Sequence, residues 1–243
     1  MKSENNQELD NVGVKLIEFS APTTVNEWGG FNLLSGILDA FKEKDPALYY
    51  RINNFYSLLN RDGLLGERCS VSIIMDLFFG IEAFNLNPFT VIDEINLLEQ
   101  NKDSQTKRES QFRRDELCGL WHKHYMNGDL ATLAQNMQHA HKSYGIPYFE
   151  ERMREANAAG VEGFITEEDI PKIVEDLVSN NLSRRKMEGK MTGEWIVYAK
   201  HNGQNFYLCL AKHKDGDDKI REKIDRISVN EFPFLKSILH PSV

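Results

Sequence analysis

From Phe31 to about residue 100, apolar residues recur with a helical period. Phe31, Leu34, Leu38 and Phe41 keep the spacing of one helix face. A second helix opens at Asp45-Pro46, a side-chain cap followed by a residue whose fixed φ suits the first turn. Leu48, Ile52, Phe55 and Leu59 form its stripe, and Arg61-Asp62-Gly63 ends it. Residues 70–85 are apolar nearly all round, which predicts the central helix of a bundle. Asn87-Pro88 starts another, with Val91, Ile92, Ile95 and Leu98 inward. Ahead of these helices, Val12 to Phe19 alternates loosely and predicts a short strand.

Residues 99–116 carry almost no apolar side chain and read as a solvated connection, which places a domain boundary there. Beyond it the periods are mixed. Asp115–Met126 and Asp129–Ser143 read as two helices joined at Asn127-Gly128, followed by a helix over Tyr148–Ala159. Thr166-Glu-Glu-Asp169 resembles a capping box before Ile170, Ile173, Val174 and Leu177. The period then changes to two. The runs EWIVYAK and NFYLCLAK flank Asn202-Gly203, the strongest short-range hairpin signal, and both faces of the pair are apolar. Asp215-Gly216-Asp217-Asp218 leads into an amphipathic helix with Ile220, Ile224 and Ile227. These patterns predict an α+β chain: a helical domain over residues 1–100, then an α+β domain over 112–243 with a small antiparallel sheet containing a β-hairpin at 194–212.

Composition narrows the class. The chain has 243 residues and a formal net charge of −8, so phosphate repels it at long range and any nucleic-acid contact requires a local basic patch. Cys69, Cys118 and Cys209 are odd in number and far apart, which suits a reducing compartment. The polar N-terminus has no signal-peptide pattern, and the longest apolar stretch, residues 72–84, is too short to span a bilayer. The expectation is a soluble cytoplasmic protein without a membrane partner.

Four of the seven histidines fall between residues 120 and 145, as two His-x-His pairs. On a strand such a pair points one way and can clamp an ion, whereas on a helix its members diverge by about 200°. With both segments read as helices, Leu117, Leu120, Trp121 and His124 share one face and Leu130, Leu133, Met137 and His141 the other, so only His124 and His141 face inward, roughly 15 Å apart at 1.5 Å per residue. That separation excludes a shared metal, so no metal and no cofactor is expected. The same antiparallel rods would carry Arg113 and Arg114 toward His141, with His139 on the flank. Arginine holds phosphate with a planar fork and histidine moves protons near neutral pH, so these four residues form the candidate catalytic set, His141 as general base and Arg114 as clamp.

Lys200 and His201 at the hairpin turn, and Arg184 and Arg185 in the basic run SRRKMEGK read as a loop, are candidate substrate contacts on the phosphate backbone. No phosphate-binding P-loop, dinucleotide glycine motif, nucleophile elbow or His-Glu-x-x-His is present. The order of helices, tight antiparallel hairpin and helix in the second half resembles that of small bacterial ribonuclease toxins of the barnase-like type. The likeness lies in order alone and transfers no site residue. Two functions follow as expectations: a nucleic-acid- or nucleotide-directed hydrolase acting on RNA or a nucleotide, or a non-catalytic acidic interaction protein, such as an immunity, antitoxin-like or adaptor protein, with a basic protein partner. Tyr49, Tyr50, Tyr56 and Trp28 would suit such an interface.

Overall fold

A computed structural model describes residues 26–30, 32–60, 66–84, 86–113, 116–162 and 165–239. The expected strand at Val12–Phe19, and Phe31, Arg61, Asp62, Gly63 and Arg114, lie outside the described residues. The chain is α+β, with a four-stranded antiparallel sheet in the order β1-β2-β3-β4.

The first helices form where their caps and stripes lie. Asn32 caps α1 (Leu33–Lys44) by accepting from the Ser35 amide at 3.2 Å, and Asp45 caps α2 (Pro46–Leu59) through the Leu48 amide at 3.0 Å. Phe41, Ile52 and Phe78 make a buried cluster with Leu38, Leu48 and Phe55 packed against it, joining both helices to α3 (Val71–Phe84). A further helix, α4, spans Pro88–Glu99, with Val91, Ile92 and Ile95 buried as the pattern required.

The strands are β1 (Ser110–Gln111), β2 (Trp121–Tyr125), β3 (Glu194–His201) and β4 (Gln204–Ala211). Positive φ at both Asn202 (50°) and Gly203 (76°) makes the connection between β3 and β4 a type I′ turn, whose twist matches the strands it joins. Ile196 to Ala199 and Phe206 to Cys209 are all buried, so the hairpin is covered on both faces.

The expected helix over Asp115–Met126 is replaced by a turn and strand β2. Leu117 and Leu120 have helical spacing, but the Leu120 amide donates to the Leu117 carbonyl at 3.0 Å in a turn, and Gly119 sits at φ 94°. A Cβ at Gly119 would press on Ile238, so both conformation and space require glycine. Trp121-His-Lys-His-Tyr125 then pairs into the sheet, and that ladder outweighs the weak helical pattern. The 99–116 connection is mostly exposed, yet it contributes β1 and buries Thr106 and Phe112.

The remaining helices are α5 (Leu130–Tyr144), α6 (Pro147–Ala159), α7 (Ile170–Glu175), α8 (Asn181–Met187), α9 (Asp217–Arg226), α10 (Ser228–Glu231) and α11 (Leu235–Ile238), with a π-helical turn at Asp176–Asn180 between α7 and α8.

Two compact units divide the chain. Among the described residues, unit 1 holds those up to Pro88, Gln111–His122 and those from Ile196 on, and unit 2 holds Phe89–Ser110 and Lys123–Trp195, so their boundary passes within β1, β2 and β3. The two sequence halves expected as domains, 1–100 and 112–243, follow a different division.

In unit 1, α3 packs on β4, where the Leu210 amide donates to Asp76 at 2.8 Å. Glu231 is buried at the start of α3, where its carboxyl accepts from Ser70 Oγ at 2.5 Å and from the Val71 amide at 3.1 Å. Burial pushes its pKa up to about 7. In unit 2 the interior is unusually polar: Glu94, Thr106, Lys123, His124, Asn136, Asp169, Asp176, Asn181, Arg185 and Thr192 are all buried there. No helix among the described residues is long and apolar enough to cross a membrane.

Candidate functional site

Helix α5 begins where Asp129 accepts from the amide and the hydroxyl of Thr132, at 2.7 and 2.9 Å, and it ends at Gly145. The face expected inward was Leu130, Leu133, Met137 and His141. The structure buries Thr132, Asn136 and Ala140 instead, and leaves Leu130 82% exposed and His141 exposed. The reason is hydrogen bonding. Asn136 donates to the carbonyls of Thr132 (2.9 Å) and Thr192 (2.6 Å), and accepts from the Thr192 amide (2.9 Å) and Arg185 Nε (3.2 Å). A satisfied buried amide stabilises this face, and small neighbours let α8 approach.

The basic run expected as a loop is largely helical, since Arg184 and Arg185 belong to α8. Asp176, buried in the π turn, caps α6 by accepting from the Tyr148 amide at 2.8 Å and binds Arg184 at 3.2 Å. Asn181 donates to the Gly145 carbonyl at 2.8 Å. The wider π turn lets Asp176 and Asn181 both face inward across one helix. These contacts fix α8 against the end of α5 and set Arg185 Nη2 3.5 Å from His139 Nδ1.

Arg185 is 5% exposed, yet its hydrogen bonds go to the neutral groups Asn136 and His139, and no carboxylate forms an ion pair with it among the described residues. Burial lowers its pKa. Burial, then the charges of Arg185, Lys107 and Lys142, lower the pKa of His139, so its imidazole is neutral near pH 7. The Arg185 contact assigns the lone pair to Nδ1 and the proton to Nε2. At the rim Tyr144 donates to Glu188 at 2.5 Å, and Lys190 binds the same carboxylate at 2.7 Å.

Lys107 is held from both sides. Its amide donates to the Met191 carbonyl at 2.9 Å, and its carbonyl accepts from Lys123 Nζ at 2.8 Å. Lys123 is itself buried, donating to Ser104 and Thr106 and paired with Glu94 at 3.0 Å. Burial lowers its pKa, while Glu94 opposes that shift.

Of the expected site residues, the structure therefore joins His139 to Arg185 and leaves Arg184 on a structural carboxylate. The two-rod geometry meant to join His141 to Arg113 and Arg114 is lost with the 115–126 helix. Arg113 is exposed beside β1 in unit 1 and His141 is exposed on α5 in unit 2, and among the described residues neither side chain has a contact that assigns it a role. In unit 1 the Lys200 ammonium lies 4.3 Å from the Trp121 ring centroid, and His201 stacks on Phe234 at 4.0 Å. These contacts occupy both residues with neighbouring rings.

Strand β2 does point His122 and His124 toward one face, the arrangement a metal clamp needs. His124 Nδ1, however, lies 2.7 Å from the Gly193 carbonyl oxygen, and no three His, Cys, Asp or Glu side chains gather to hold an ion among the described residues. The residues that sequence reasoning missed are Lys107, Lys142, Tyr144, Glu188, Lys190, Asn136 and Lys123. Only the density of cations in 183–190 signalled this region. Comparison with protein-family models, curated proteins and solved structures finds no match for this chain.

Proposed function

We propose that unit 2 carries a phosphate-directed site and that the protein is a nucleic-acid- or nucleotide-directed hydrolase, with RNA as the polymeric substrate class. The observation that carries the reading is Arg185, a buried guanidinium with no carboxylate in ion-pair contact among the described residues and only the more distant charge of Glu188 to offset it, beside a half-buried neutral imidazole. A buried cation without an anion is costly. A phosphate placed against the fork of Arg185 would remove that cost, and Lys107 and Lys142 would add charge from the rim.

A phosphate that draws the Arg185 fork onto itself would release the His139 Nδ1 lone pair that Arg185 contacts in this structure. A ribose 2′-hydroxyl beside the bound phosphate donates to Nδ1 and attacks phosphorus. The proton passes to His139, the bond to the 5′-oxygen breaks, and that oxygen takes a proton from solvent. The products are a 2′,3′-cyclic phosphate and a 5′-hydroxyl end. Arg185 holds the extra negative charge of the pentacoordinate transition state.

The test is incubation of purified protein with RNA and with DNA, with and without EDTA. Loss of RNA cleavage in both His139→Ala and Arg185→Lys, with His141→Ala and Arg113→Ala active, is the expected result. Arg185→Lys keeps the charge and removes the fork, and a thermal melt checks its fold. Cleavage surviving in His139→Ala, or an inert wild-type protein, overturns the assignment.

A further inference from the structure

We infer that the outer face of the α7 helix and its π turn is a docking surface for a cationic amphipathic helix of another protein. The inference rests on observations independent of the His139 site. Ile170, Val174 and Val178 recur every four residues and are 52%, 51% and 39% exposed. Val161 and Ile165, just ahead in the chain, are exposed as well. Three apolar side chains at helical spacing ordinarily mark the face a helix buries.

Here the opposite, polar edge does the packing. Asp169 accepts from the Tyr148 hydroxyl at 2.6 Å and from the Thr166 amide and hydroxyl at 2.9 and 2.8 Å. The first of these bonds leads the causes that hold the pKa of Asp169 down to about 2. Asp176 caps α6, and Asn181 holds the Gly145 carbonyl. The helix is thus fixed by polar contacts with its apolar stripe turned outward.

Charge selects the occupant. Glu162, Glu167, Glu168 and Glu175 are exposed within residues 161–178, and the one lysine of that span, Lys172, has its ammonium 5.3 Å from the Tyr148 ring centroid. The surface is therefore apolar with an acidic border. A second copy of this chain would bring like charges together, and an anionic bilayer would be repelled. A helix with leucine or isoleucine on one side and lysine or arginine on the flanks satisfies both features.

The test is fluorescence anisotropy with two labelled peptides of about 18 residues, one of leucine and lysine and one of leucine and glutamate, each patterned as an amphipathic helix. The lysine peptide is expected to bind and the glutamate peptide not to, with affinity falling as salt rises. Ile170→Ser/Val174→Ser keeps every charge and should weaken binding roughly tenfold, from the apolar area it removes. Leu58→Ser, an exposed apolar site in unit 1, should leave it unchanged. Equal binding by the double variant would mean that net charge alone attracts the peptide, and overturns the inference. So does self-association, or binding to neutral vesicles, that the double variant abolishes, because the stripe would then serve another occupant.

Discussion

Replacing Glu231 with glutamine should make unit 1 more stable above neutral pH and remove a specific pH dependence. The wild-type carboxyl is buried at the start of α3, with a folded pKa of about 7 against an ordinary value of 4.5. Between those values the unfolded chain has lost a proton that the folded chain still holds, so stability falls as pH rises from 4.5 through 7 and levels off beyond. The difference of about 2.5 units, at 1.36 kcal/mol per unit, corresponds to roughly 3 kcal/mol across pH 4.5 to 8. Glutamine keeps the size and an acceptor for the Val71 amide without a charge to desolvate. Urea unfolding of both proteins, followed by tryptophan fluorescence at several pH values in this window, measures the difference directly. Other carboxylates titrate equally in both and cancel. The wild type should lose about 3 kcal/mol relative to Glu231→Gln as pH rises. A difference between the two that stays flat with pH would refute the reasoning.

The buried pair in unit 2 gives a second prediction: Lys123→Met strands Glu94 and should cost about 3 kcal/mol, most of it recovered in Lys123→Met/Glu94→Leu, as read by denaturant midpoints. Leu77 is fully buried on α3, so Leu77→Ala should lose about 2–5 kcal/mol in the same assay. Cys209 is buried with its thiol pushed up to about 12, so a thiol reagent at mildly alkaline pH should modify half-buried Cys118 first and reach Cys209 only on unfolding, as peptide mapping would show. Glu188→Gln frees Lys190 and removes an anion beside the cationic site, so calorimetry should record inorganic phosphate binding about threefold tighter than in the wild type.

The four N-terminal helices were legible because their signals are local. Asp45 and Pro46 shape a first turn whatever lies beyond, and an apolar stripe over two or more turns has few other uses. The hairpin was legible for the same reason, since Asn202-Gly203 fits a turn that needs positive φ twice. Trp121–Tyr125 was not. Five residues are too few to establish a period of two, and Leu117 and Leu120 imitate a helix while closing a turn. At Gly193, just before β3, any Cβ would overlap the Tyr125 carbonyl oxygen, a close approach that the glycine alone does not announce. The face of α5 shows a different limit. Thr132, Asn136 and Ala140 are spaced as well as the leucines are, and only partners from distant segments make the polar stripe the buried one.

The sequence by itself determined the four N-terminal helices, the hairpin at Asn202-Gly203 and the α+β class, because caps, turns and periodicity act over a few residues. Tertiary structure alone decided which face of α5 is buried, that residues 121–125 join a sheet, and that Arg185 meets His139 across 46 positions of chain. Those outcomes depend on whether a buried polar group finds its hydrogen-bond partner. That partner lies dozens of residues away, where no local pattern can point to it.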